Sequence, residues 1–197
     1  MDDQVEPQEG LRARKRRQTR ERIVESGVRL FVAHGFEATT LETVAAAAEI
    51  SRRTFFYYFK SKEDILLAWQ EGAGDALRAA VLAEAPGRAP LEAVRLALSK
   101  LIPLFETHNF LVIDGLMRST ETLRARKQGH YEHQEQGLFA TLSEIWPDPG
   151  RRTALRLIAM VSIGAMRLAI EAWIEDSGKR PIVTYLDAAF SALKEEI

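Results

Sequence analysis

The sequence predicts an all-α protein in two parts: a small N-terminal three-helix domain and a larger C-terminal helical domain, about nine helices in all. Three observations lead there. Apolar residues recur at helical spacing along most of the 197 residues. The alternating strands bounded by Asn-Gly or Asp-Gly turns that would mark hairpins are absent. Pro- and Gly-rich breaks at 86–90, 147–150 and 177–181 divide the C-terminal part into helix-sized pieces. A hydrophobic content of 46 % supplies a core. No cysteine is present, which excludes disulfides, thiolate metal sites and a cysteine nucleophile and agrees with a reducing cytoplasm.

Residues 1–16 read as a flexible arm, acidic and then basic, and residues 1–10 lack the apolar run of a signal peptide. The first helix carries Ile23, Val24, Gly27, Val28, Leu30 and Phe31 on its apolar face, and Gly35 stops it in a left-handed conformation. Thr39 or Thr40 caps a second helix over 41–48, and Ser51 caps a third that ends near residue 59 or 60. These complete a domain over 17–62. Ser61 to Asp64 resembles a capping box opening a fourth helix over 62–85, the first element of a domain over 63–197. Further helices are expected over 91–105, 109–119, 121–146, 151–176 and 182–196. The most apolar window, 157–166, is too short for a bilayer, which needs about 20 apolar residues.

The formal net charge of −1 conceals an asymmetry: residues 1–10 carry −4, 11–62 carry +7 and 63–197 carry −4. The basic segment holds two short helices joined by a tight turn, the second rich in Arg and aromatics. That arrangement suits a helix-turn-helix entering the DNA major groove. Arg52 and Arg53 stand at the N-terminal end of the third helix, where an Arg fork matches guanine O6 and N7. Thr40 and Ser51 sit at helix N-termini, suited to phosphates. Tyr57, Tyr58, Lys60 and Lys62 are placed to reach flanking phosphates, while Phe55 and Phe59 pack inward. The basic run Arg12 to Arg17 has two readings: an arm that enters a minor groove or tracks phosphates, or a solvated run.

Residues 30–45, Leu-Phe-Val-Ala-His-Gly-Phe-Glu-Ala-Thr-Thr-Leu-Glu-Thr-Val-Ala, and 50–63, Ile-Ser-Arg-Arg-Thr-Phe-Phe-Tyr-Tyr-Phe-Lys-Ser-Lys-Glu, resemble the TetR family of transcription regulators. The resemblance is close over 17–66. It implies an all-helical homodimer whose small domain binds a palindromic operator and whose large domain binds a small-molecule inducer, usually in repression. Carried over by position, it adds Phe56 to the DNA contacts. Where the family often has glycine at the turn between the second and third helices, this chain has Glu49. If that backbone is left-handed, a side chain costs about 1 kcal/mol there.

Over 63–197 the resemblance is one of architecture. It implies a pocket, and the candidate lining residues are Trp69, Ile102, Phe105, Phe110, Ile113, Met117, Arg118, Tyr131, Met160 and Gly164, with Asn109, Asp114 and His130 as further polar candidates and Arg118 or Arg95 near its mouth. The segment from Ser51 to Phe56 resembles that of regulators of which some respond to acyl-CoA thioesters, so an acyl-CoA-like inducer is one expectation. The helix over 151–176 reads as apolar on every side and so buried all round, part of it against a partner subunit. The dimer interface is expected at Ile163, Met166, Ile170, Trp173, Leu186, Ala189, Phe190 and Leu193. Gly72 and Gly74 mark either a hinge or close packing. His130 and His133 lie three apart beside Glu132 and Glu135, but no second pair completes a metal site. No phosphate loop or nucleophile elbow appears. The expectation is a cytoplasmic DNA-binding regulator, not an enzyme, without cofactor, metal or membrane.

Overall fold

The computed structural model describes residues 10–105 and 107–195. Among these, every regular element is helical: α1 (Leu11–His34), α2 (Leu41–Ala47), α3 (Arg52–Tyr58), α4 (Glu63–Glu84), α5 (Pro90–Leu101), α6 (His108–Ser119), α7 (Glu121–Ile145), α8 (Arg152–Glu175) and α9 (Ile182–Glu195). Short 3-10 turns follow α5 and precede α8. The chain divides into two compact units, Met1–Trp69 and Gln70–Ile197. The boundary therefore falls inside α4, seven residues beyond the expected 62/63.

Local chemistry sets the ends of the first helices. Gly35 closes α1 at φ +85°, its N–H donating to the Phe31 carbonyl at 3.0 Å. Thr40 caps α2 in a reciprocal box with Thr43, and the Ser51 hydroxyl accepts from the Thr54 N–H at 3.0 Å. Around them Ile23, Val28, Phe31, Val44, Ala45, Ala48, Phe55, Phe59, Ile65 and Leu66 form one buried core. A Cβ built on Gly27 would stand 2.8 Å from Ile65 Cγ2, so α1 and α4 approach as closely as they do only because residue 27 has no side chain.

Two expectations about the N-terminus change. Residues 1–9, the acidic part of the expected arm, lie outside the described residues. The basic run beyond them is not an extended arm; it forms the first turns of α1, which starts at Leu11.

In the second unit α8 packs against α5, α7 and α9, and α6 packs on α7. The stretch Pro149–Glu175 is 27 residues long and apolar enough to cross a bilayer by length and composition, which corrects the shorter window expected from sequence. Three helices of its own unit nevertheless pack on it, the setting of a core helix. Nor is α8 buried on every side: Leu157, Met160 and Leu168 are exposed. The expected interface residues Ile163, Met166, Ile170, Trp173, Leu186 and Phe190 are instead buried in the unit's own core, Leu193 is half-buried and Ala189 lies on the same helix, partly covered. Periodicity marks the apolar face correctly, but that face meets α5, α7 and α9.

Candidate functional site

The first site is the outer face of α3. The Ser51 cap fixes the helix start, and Phe55 and Phe59, at 0 % and 4 % exposure, pin the opposite face into the core. Their burial turns Arg52, Arg53, Phe56 and Tyr57 outward together. Tyr58 is half-buried and Lys60 exposed. The Arg52 guanidinium lies 5.6 Å from the Phe56 ring centroid and 3.1 Å from Glu42 on α2. Sequence reasoning misses this partner, although Glu42 stands in the first turn of the preceding helix. Glu49, at φ +54°, does adopt the left-handed conformation and is exposed.

Lys62 departs from its expected role. Its ammonium turns inward, donating to the Phe36 carbonyl at 2.7 Å and sitting 4.2 Å from the Phe36 ring centroid. Only 20 % of its side chain is exposed. It fastens the α1–α2 loop to the start of α4 and does not reach out for phosphates. Sequence shows the charge at this position but not the free carbonyls that claim it.

The second site lies in the other unit. A cavity of about 200 Å³ opens between α4 and α7, lined by Gly74, Asp75, Leu77, Arg78, His130, His133, Gln134, Gly137, Leu138 and Thr141. Arg78 spans the two helices, donating to both carboxylate oxygens of Glu144 at 2.8 and 3.0 Å. These hydrogen bonds hold the Glu144 carboxyl below its ordinary range and the guanidinium above its own. Of the expected pocket residues, only His130 lines this cavity. Ile102, Ile113 and Met117 are fully buried core, Phe105 stacks on Phe110 at 5.0 Å, and Met160 faces outward. Arg118 donates through Nε to buried Asp114 at 2.6 Å, and Lys127 also pairs with that carboxylate. Tyr131, buried beside this group, has its phenol pushed up to about 12, chiefly by desolvation and then by the Asp114 charge. The sequence signal for the cavity is the small and polar run at 129–141; Phe110, Met117 and Tyr131, which suggest a pocket in sequence, pack the core instead.

The family model described as bacterial regulatory proteins, tetR family, matches residues 23–69, and the one described as the MftR C-terminal domain matches 72–197. The chain belongs to the TetR family. Among TetR-type relatives, it is 35 % identical over 108 residues to the HTH-type transcriptional regulator TcmR of Streptomyces glaucescens, a match covering 55 % of this chain and 48 % of that protein. It is 41 % identical over 59 residues, 30 % of each chain, to the putative mycofactocin biosynthesis regulator MftR of Mycobacterium tuberculosis. The chain thus spans half or less of the length of these relatives. Among solved structures, Thermus thermophilus FadR, a TetR-family repressor in complex with lauroyl-CoA, is 27 % identical with a TM-score of 0.65, covering 89 % of this chain and 93 % of that one.

Proposed function

We propose that this chain is a ligand-responsive, sequence-specific DNA-binding regulator: a homodimeric, cytoplasmic repressor released from a palindromic operator by an amphipathic small molecule. The observation that carries this reading is the outward set Arg52, Arg53, Phe56 and Tyr57 on a capped, core-pinned α3. Arg53 is exposed and presents its fork to base edges; Arg52 does so after leaving Glu42. Thr40, Ser51, Tyr57, Tyr58 and Lys60 surround them as phosphate contacts. One such helix reads few base pairs. Two related by a twofold axis read half-sites a DNA turn apart, roughly 34–36 Å. The exposed apolar residues Leu157, Met160 and Leu168 of α8 supply a self-complementary surface for that pairing.

The effector is an acyl-CoA-like amphipath, a reading supported by the likeness to Thermus FadR, and it enters between α4 and α7. The cavity there is smaller than the roughly 300–1,000 Å³ of sites that enclose drug-sized ligands. Enclosing an acyl chain therefore requires α4 and α7 to separate and the Arg78–Glu144 pair to open. A mobility-shift assay on the DNA upstream of the chain's own gene tests the first half. Salt-sensitive binding that outcompetes random duplex supports a regulator; equal affinity for both sinks it. Thermal shift across an acyl-CoA chain-length series tests the second half. A rise in midpoint that tracks DNA release supports the effector class, and no rise at any length removes it.

A further inference from the structure

The family match begins at residue 23, but α1 begins at Leu11. Twelve helical residues therefore precede the first residue that the family model matches, about 18 Å of helix at 1.5 Å per residue. They carry seven Lys or Arg against one acid, Glu21, a net +6. The apolar stripe of α1, Ile23, Gly27 and Phe31, continues backwards at helical spacing as Arg20, Arg16 and Arg12. Where the helix outruns the core, its inner face changes from apolar to cationic.

That cationic face meets α3. The Arg16 guanidinium lies 5.4 Å from the Tyr57 ring centroid and Arg20 lies 5.4 Å from Phe59. An open groove of about 590 Å³ runs between the two helices, lined by Arg12, Lys15, Arg16, Thr19, Tyr57 and Tyr58, with Ala13 at its side. Among the described residues, the first turn of α1 holds no acid and Gly10 offers no side-chain cap.

We propose that this overhang is a second DNA-binding element, a rigid helical rail whose groove holds the sugar-phosphate backbone of duplex DNA beside the segment read by α3. The proposal rests on the DNA-binding reading above. Continuity with the exposed α3 face selects DNA as the occupant, and charge complementarity selects its phosphates. A helix about 10–12 Å across does not fit a minor groove about 6 Å wide, so the rail lies along the backbone and does not enter as an extended arm would. Arg12 to Arg20 spans about 12 Å, the rise of three to four base pairs at about 3.4 Å each. Arg16, held 5.4 Å from the Tyr57 ring centroid, is kept at the groove, where its guanidinium can donate to a phosphate.

The test uses the full chain and two duplexes, its own upstream DNA and a random sequence of equal length. Salt dependence of affinity is compared for wild type, the triple variant R12A/K15A/R16A and the charge-keeping variant R12K/R16K. All three side chains are exposed, and circular dichroism checks that helix content is kept. Each phosphate that the protein neutralises contributes about 0.9 to the steepness of log K against log salt. The triple variant removes three cations from each of two protomers, so its slope should be shallower by about five on both duplexes alike, because phosphates carry no sequence. R12K/R16K should keep most of the slope. An unchanged slope in the triple variant, with wild type still binding, overturns the rail and leaves the regulator reading intact. A change confined to the upstream duplex also overturns it. No binding by wild type to either duplex sinks the regulator reading itself.

Discussion

Arg52 does not wait free for DNA; it is already paired with Glu42 across the α2–α3 turn. If Arg52 reads guanine as proposed, the base must displace that carboxylate, so Glu42 competes at every sequence and yields only where the fork finds two acceptors. Glu42→Gln removes the competitor and a negative charge together. Exposed pairs are worth about 0.2–1 kcal/mol per protomer, so affinity for random duplex should rise by up to about fivefold for each bound protomer while discrimination for the operator falls, measured by competition binding. Gly27 is a second residue with a defined cost. Ile65 is fully buried and cannot swing away from a new methyl. Gly27→Ala should destabilise the first unit by about 1–3 kcal/mol in urea unfolding; a neutral result would mean that α1 and α4 separate easily. Local chemistry makes much at this scale legible in the sequence. Thr40, Ser51 and Gly35 act on their own neighbours, so their roles follow from spacing alone. Lys62 is different, because its acceptor belongs to a loop 26 residues away in sequence.

At the scale of elements, α4 and α1 carry the most information. Gly72 and Gly74 follow the unit boundary, and a Cβ on either meets no atom within 4 Å. Close packing therefore does not account for them. Gly74 borders the cavity, which explains its open surroundings; Gly72 does not. Each Gly→Ala change should stabilise the helix by up to about 1 kcal/mol. If α4 must bend for the effector to act, Gly72→Ala raises the effector concentration needed for DNA release, whereas Gly74→Ala also narrows the cavity. An unchanged release curve for Gly72→Ala rules out bending at that residue. For α1, the charge of the run from Arg12 to Arg22 suggests an arm, although Arg, Lys and Gln are good helix formers. Propensity holds the correct signal there and charge masks it. For α8 the reverse applies: its periodicity is strong, but a pattern of apolar residues does not say which neighbour they meet.

Ion pairs and hydrogen bonds of the second unit set the molecule's response to pH. Hydrogen bonds from Lys100, Arg95 and Arg78 hold Glu84, Glu92 and Glu144 below the ordinary 4.5, and Tyr185 does the same for Asp176 relative to 3.8. A carboxylate held low in the folded state adds stability above its ordinary value and loses it as pH falls through the folded one. The thermal midpoint should therefore be flat at neutral pH and fall below about pH 4.5. Tyr131 acts at the other end. Its phenol is raised from 10 to about 12, so its contribution is intact below pH 10 and disappears between 10 and 12. Tyr131→Phe should flatten that alkaline fall; an identical alkaline profile would mean that the phenol ionises normally. Leu168→Glu should shift the chain toward monomer in sedimentation and weaken operator binding without lowering protomer stability, since Leu168 is 62 % exposed. The exposed ridge on α8 also bears on gene dosage. If two copies must meet through Leu157, Met160 and Leu168 before either grips DNA, operator occupancy at low copy number scales with the square of the protein's abundance. Halving expression would then cut operator occupancy about fourfold in that regime, making protein synthesis and dilution by growth a second input beside the small molecule.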